Sequence, residues 1–284
     1  MLLAIATAIV TIGLKVAAAA ITGSVGFLAD ALESGVNLVA AVVGLIALRV
    51  AARPADHNHH FGHGKAEYVS ALVEGVMILV AAGLIIFFSV PRLFDPQPLE
   101  QAGLGLALTA LATVFNLVVG LALLRAGKRH RSATLSADGH HLLTDVWTSV
   151  GVLLGITAVA LTGVYWLDPL IAMVVGANIL WAGYRLLKQS LAGLLSAAMP
   201  VEDMEQLSTV LTEFSAVHGV MFAPARTVES GRHRHIYLVM GVPGSWAVST
   251  AHDLADRLEA EVEAVFPGAE TFIHVEPDDQ LSRH

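Results

Sequence analysis

The sequence predicts a membrane α-helical fold, six transmembrane helices followed by a cytoplasmic α+β domain of order αββαβ, and three observations carry that prediction. Mean hydropathy is +0.68, with 55% hydrophobic and only 14% charged residues among 284, far from the averages of soluble chains. About six apolar runs reach the roughly 20 residues that a helix needs to cross hydrocarbon. The charge is segregated: residues 200–284 hold 14 acidic residues and 5 arginines, a net of −9, whereas residues 1–199 hold 11 basic and 10 acidic residues, a net of +1.

The apolar runs fall near residues 2–22, 25–50, 67–93, 101–126, 133–160 and 164–189, within a transmembrane domain of residues 1–192. The chain starts almost inside the first of them. Ala17 to Ala20 imitates a signal cleavage site, but no positive charge precedes the run and Lys15 interrupts it; the start therefore reads as a shortened or misassigned N-terminus rather than a cleaved signal. Arg49, Arg53 and Lys65 follow the second span, Arg125, Lys128, Arg129 and Arg131 follow the fourth, and Arg185 and Lys188 end the sixth, against Arg92 alone on the other side. Positive loops stay inside, which places both termini in the cytoplasm of a multi-pass protein, expected in a bacterial inner or cell membrane.

After a linker at residues 193–199 the periodicity changes. Val201 to Phe214 has helical spacing, Gly219 to Val228 and His235 to Val242 read as strands around Ser230-Gly231, Ser249 to Phe266 is amphipathic, and Glu270 to Val275 is a short strand after Pro267-Gly268. Residues 200–284 thus form a two-layer domain with its own core, helices on one face of a three-stranded sheet, of the ferredoxin or metallochaperone-like kind. Its acidity argues against nucleic acid as a partner. With no cysteine in the chain, disulfides, thiolate metal sites, Cu(I) and redox chemistry drop out.

Two stretches 108 positions apart share one skeleton, Ala29-Asp30-x-x-Glu33-x-x-x-Asn37 and Ala137-Asp138-x-x-His141-x-x-x-Asp145. Spacing of i, i+4 sets Glu33 beside Asn37 and His141 beside Asp145, so two facing helices could offer four nitrogen or oxygen ligands to one divalent cation. Ionisable groups at membrane depth cost roughly 2.5–3.5 kcal/mol each on translocon scales, which makes them functional-site candidates by default. The bland alternative for His141 and Asp145 is a hydrogen-bonded pair that fixes packing, and for Asn37 an interhelical amide bond without metal. Asp30 and Asp138 lie three residues before the candidate ligands, while Glu74 and Lys15 are further intramembrane charges with no partner assigned from sequence.

Together with the loop Pro54-Ala55-Asp56-His57-Asn58-His59-His60-Phe61-Gly62-His63-Gly64-Lys65-Ala66-Glu67, these pairs and the αββαβ tail make nearly the whole chain resemble the cation diffusion facilitator, or cation efflux, family. The resemblance implies a transport site at Glu33, Asn37, His141 and Asp145, a loop site at Asp56, His59 and His63 with His57 and His60 as bystanders, and a homodimer formed through the cytoplasmic domain. In the tail His252, His274 and Glu276 match ligand positions of the family, but Ala223 and Val239 stand where two histidines are expected. Lys65 matches a lysine that pairs with an aspartate just before the tail, and Ser196 occupies that aspartate's place, which puts the charge interlock in doubt. Relatives usually carry Asp or His at Glu33 and Asp at Asn37.

The expected substrate follows from the donor atoms. Two carboxylates nearly neutralise a divalent ion and the imidazole favours Zn²⁺ over Mg²⁺ or Ca²⁺, with Fe²⁺ next and Co²⁺, Ni²⁺ and Cd²⁺ in the same class. No prosthetic group is expected; the partners are metal ions, protons and membrane lipid. A ligand must be deprotonated to bind metal, so the expectation is metal/proton antiport by alternating access around a midplane site, with His141 as the exchange group because imidazole ordinarily titrates near ~6.5. Three other classes fit less well. An intramembrane metalloprotease needs an HExxH-type arrangement, which is absent, and no enzyme is expected. A non-transporting membrane metal sensor or scaffold leaves the buried ligands unexplained, and a proton-coupled carrier of another solute has less need of imidazole and amide at metal spacing.

Overall fold

The computed structural model describes residues 2–130, 133–231 and 233–283; Arg131 lies outside the described residues, as does the side chain of Asp138. Six long helices come first: α1 Leu2–Thr22, α2 Val25–Ala51, α3 Ala66–Phe94, α4 Ala102–His130, α5 Ala133–Thr162 and α6 Leu167–Leu194. Among the described residues five of them, α2 to α6, are long and apolar enough to cross a membrane. Their outer surfaces carry Phe87, Trp147, Leu154 and Trp181, all largely exposed, while Lys15, Asp30, Asn116, Asp145 and Ser149 are buried. That inversion of the water-soluble pattern suits helices whose solvent is lipid.

The chain divides into two compact units, residues 1–45 with 71–187, and residues 46–70 with 188–284. In the first unit small residues let the helices approach closely, as expected where lipid offers no hydrophobic drive. A Cβ on Gly139 would lie 3.0 Å from the Gly120 carbonyl oxygen and 2.8 Å from the Leu124 side chain, so α4 and α5 cross there with almost no side chain between them. Val25 and Ala29 of α2 pack with Ala82 and Ile85 of α3 and Ala172 and Ile179 of α6, and on the other side Phe27 meets Ala18, Val152 and Ile156.

The start of α2 is fixed by a carboxylate from another helix. Asp168 of α6, buried, accepts bonds from the Ser24 hydroxyl (2.6 Å) and the backbone N–H groups of Val25 (2.9 Å) and Gly26 (3.0 Å). First-turn N–H groups have no intrahelical partner and carry the positive end of the helix dipole, so a buried anion there satisfies both needs. The residues two and three turns further on, Glu33 and Asn37, inherit a fixed height.

The second unit contains α7 Val201–His218, strands β1 Met221–Phe222, β2 Arg226–Ser230 and β3 His233–Val242, then α8 Val248–Val265, β4 Glu270–Pro277 and a 3₁₀ turn, Asp278–Arg283. Central β3 pairs antiparallel with β1 and β2 along one edge and parallel with β4 along the other. The strand expected over Gly219 to Val228 is therefore broken in two. Pro224 has no N–H to give, although the Ala223 N–H still reaches the Val239 carbonyl at 3.1 Å. Leu207, Leu211 and Phe214 of α7, Leu254, Leu258 and Val262 of α8, and Ile236, Leu238 and Met240 of β3 form its core. These alternate β3 positions turn to one face, as the period of two requires.

The loop between α2 and α3 seats on the β2–β3 turn. A Cβ on Gly64 would lie 2.1 Å from the Ser230 carbonyl oxygen, and Gly231, at φ +61, faces the Gly64 backbone; no larger residue fits the first position and the second favours glycine. Beside them the Lys65 ammonium donates to the Ser196 hydroxyl at 2.9 Å and reaches the Leu194 carbonyl at 3.5 Å. Phe61 makes T-shaped ring contacts with His235 (centroids 5.2 Å) and Phe272 (6.4 Å).

Candidate metal centres

Helices α2 and α5 meet along their polar faces. The Asn37 amide donates to Asp145 Oδ1 at 3.2 Å, and the Ser149 hydroxyl donates to Asp30 Oδ1 at 2.9 Å. Rising numbers on α2 meet falling numbers on α5, so the two run antiparallel. Asn37, His141 and Asp145 line one cavity of about 160 Å³, together with Thr11 of α1, Ser34 of α2 and Asn116 of α4. Such a largely apolar pocket with a few convergent polar groups is the usual form of a small-ligand site.

Glu33 stands between the two ties on α2 but does not line that cavity, and its Oε2 is buried without a hydrogen-bond partner. The structure thus brings three of the four expected residues to one cavity. It does not gather all four at ligating distance: among the described residues the grouping of three histidine or acidic side chains at such distance lies in the loop. Asn37 makes the interhelical bond that its amide allows, to the carboxylate expected to share its ion.

The partners of two other charges emerge here. Lys15, 1% exposed, donates to Asp30 Oδ1 at 2.9 Å and to the Ser34 hydroxyl at 2.8 Å, so Asp30 receives Lys15 from α1 and Ser149 from α5. A buried ammonium is tolerable only when paired and hydrogen-bonded, and Lys15 has both. Sequence reading left it unpartnered, although Thr7, Thr11 and Lys15 step by four along α1 and could have marked an inward polar stripe. Lys15 acts electrostatically on Glu33 and Asp145 as well, and Glu74 of α3 lies within electrostatic reach of His141.

In the loop, Asp56, His59 and His63 place their ligand atoms within 4.8 Å of one another. Asp56 accepts the backbone N–H groups of Asn58 and His59, both at 2.8 Å, closing an Asx turn. Its oxygens then lie 3.1 Å from His59 Nδ1 and 3.4 Å from His63 Nε2. The Asn58 N–H first, and the His59 ring and backbone N–H after it, hold the Asp56 carboxyl below its ordinary value. His60 instead lies 3.1 Å from the His57 carbonyl, and neither joins the group. One carboxylate and two imidazoles are a donor set for a borderline divalent metal, with room for further ligands.

The tail residues are not assembled in the same way. His252 lies 3.5 Å from Asp256 on α8, and His274 lies 3.1 Å from Glu276 on β4. Val239 is the register partner of His274, and Ala223 and Val239 line one shallow pocket with it. Ala223 and Val239 therefore sit beside His274, where they bring methyl groups instead of ligands.

Comparison with known proteins agrees with this architecture. The family model of the cation efflux transmembrane domain matches residues 1–195, and that of the cation efflux protein cytoplasmic domain matches residues 199–278. An uncharacterized transporter of Synechocystis sp., sll1263, is 45% identical over 275 residues, covering 97% of this chain and 88% of its own. The cation-efflux pump FieF of Shewanella oneidensis is 31% identical over 273 residues (96% and 91%), and that of Yersinia enterocolitica 32% over 256 residues (90% and 84%). With both domains matched, over residues 1–195 and 199–278, and a FieF relative aligned over 96% of the chain, the chain belongs to the cation diffusion facilitator (cation efflux) family, a family of cation transporters rather than enzymes.

Proposed function

We propose that this protein exports a divalent transition metal, Zn²⁺ foremost and Fe²⁺ next, in exchange for protons, by alternating access at Glu33, Asn37, His141 and Asp145. The observation that carries this reading is the polar face between antiparallel α2 and α5, where Asn37, His141 and Asp145 share a cavity inside otherwise apolar helices. Two carboxylates, one imidazole and one amide oxygen suit a borderline ion and nearly balance its charge. The ion entering from the cytoplasm takes the place of protons on Asp145, Glu33 and His141, because metal binds only their deprotonated forms. Reorientation then exposes the ligands to the opposite side, where returning protons weaken them and release the ion.

Lys15 has a supporting part in this cycle. Its pairing with Asp30 keeps one buried acid occupied beside the site, while Glu33 Oε2 on α2 has no hydrogen-bond partner. The loop set Asp56, His59 and His63 is a second metal site, and the tail is the surface through which two copies form a homodimer, with both termini in the cytoplasm. A competition assay in proteoliposomes with an imposed pH gradient tests the proposal. Zn²⁺ should move against the proton gradient and Fe²⁺ compete with it, whereas flux insensitive to the gradient would rule out antiport.

A further inference from the structure

Asn116 of α4 is 2% exposed, and its Oδ1 has no hydrogen-bond partner. It lines the same cavity as Asn37, His141 and Asp145. A buried amide oxygen left unpaired is costly and native structures rarely keep one without a use. The composition of the cavity says what use fits. None of its lining residues is Lys or Arg, and no lining group donates to the Asn116 oxygen, so this acceptor has no side-chain cation to meet. A bound divalent ion would meet it. We propose that Asn116 supplies a further oxygen ligand to the ion held at this cavity, making α4 a third contributor beside α2 and α5 and Asn116 a determinant of metal specificity.

The consequence is a matter of coordination number. Zn²⁺ is content with four ligands, whereas an added neutral oxygen favours ions that accept five or six, and so widens the range of metals the site takes. This rests on the proposed transport site, and the test separates the two. Full-length protein carrying His59→Ala and His63→Ala, so that the loop does not contribute, is titrated with Co²⁺, whose visible absorption is strong when four-coordinate and weak at higher coordination.

Asn116→Leu should lower Co²⁺ affinity roughly tenfold, within the range known for altered metal surroundings, and shift the spectrum to the stronger four-coordinate form. Asn116→Asp, which keeps an oxygen, should retain the weak spectrum. Should Asn116→Leu not be recovered folded, Asn116→Ala carries the same expectation. An unchanged affinity and spectrum in the apolar variant, with binding still lost in Asp145→Ala, would overturn the role of Asn116 alone. Co²⁺ binding unaffected by Asp145→Ala would overturn the site itself and this inference with it.

Discussion

Lys15 is fully buried against Asp30, and the Lys15–Asp30 pair makes a direct prediction. Breaking a buried pair from one side leaves an uncompensated charge and costs about 3–5 kcal/mol, while removing both charges costs much less. Lys15→Met and Asp30→Leu should each lower the melting temperature of the detergent-solubilised protein substantially, and the double variant should lose less than the sum. Strictly additive losses would mean that the two are not coupled. Asp56 yields a pH prediction. Its depressed carboxyl contributes stability above the ordinary value near ~3.9, and that contribution is lost only as pH falls through the lower folded value. Asp56→Asn should weaken Zn²⁺ binding to the loop at every pH above about 4, where the wild-type carboxylate is ionised, as calorimetry at several pH values would show; unchanged affinity across that range would contradict this. The candidate ligands were legible in sequence because i, i+4 polar pairs interrupt hydrocarbon. The Lys15 partner was not, since it lies 15 residues away and depends on how α1 meets α2.

Among the elements, the long helices lie within a few residues of their sequence-predicted limits because hydropathy alone sets a span. The break in the first strand falls around Pro224, between β1 and β2, one missing N–H outweighing local strand propensity. The seating of the loop was beyond sequence reading, since Gly64 and Ser230 meet only through folding of segments far apart in the chain. It is nonetheless specific. In Gly64→Ala the new Cβ would fall 2.1 Å from the Ser230 carbonyl oxygen, so the loop must lift from the β2–β3 turn, at a cost of about 1–3 kcal/mol typical of overpacking. Faster amide exchange at residues 229–231 and in the loop is expected, and an unchanged exchange pattern would show that the contact is not maintained. Lys65 keeps its neighbour at Ser196 through a hydrogen bond from its ammonium to an uncharged hydroxyl, in place of the ion pair that the family resemblance implies.

At the scale of the whole molecule, the tail draws its core from its own helices and central strand, and Ala223 and Val239 offer no ligand atoms beside His274. The isolated domain from Pro200 should therefore fold and associate without metal. Micromolar Zn²⁺ should raise its melting temperature little, because stabilisation grows only as the logarithm of occupancy over a large Kd. A large rise that disappears in His252→Ala or His274→Ala would show that a regulatory site survives there. Family and architecture were legible from sequence because they rest on hydropathy, charge segregation and a repeated ligand skeleton; the convergence of α1, α2, α4 and α5 on one cavity depends on packing that no single segment encodes. Asp145 shares that cavity with Asn37 and His141. The decisive measurement is Zn²⁺ uptake into sealed inside-out vesicles by wild-type protein and by Asp145→Ala at matched levels of folded protein. Uptake by the wild type and its loss in the variant are expected, and near-normal flux through folded Asp145→Ala would contradict a transport role for this site.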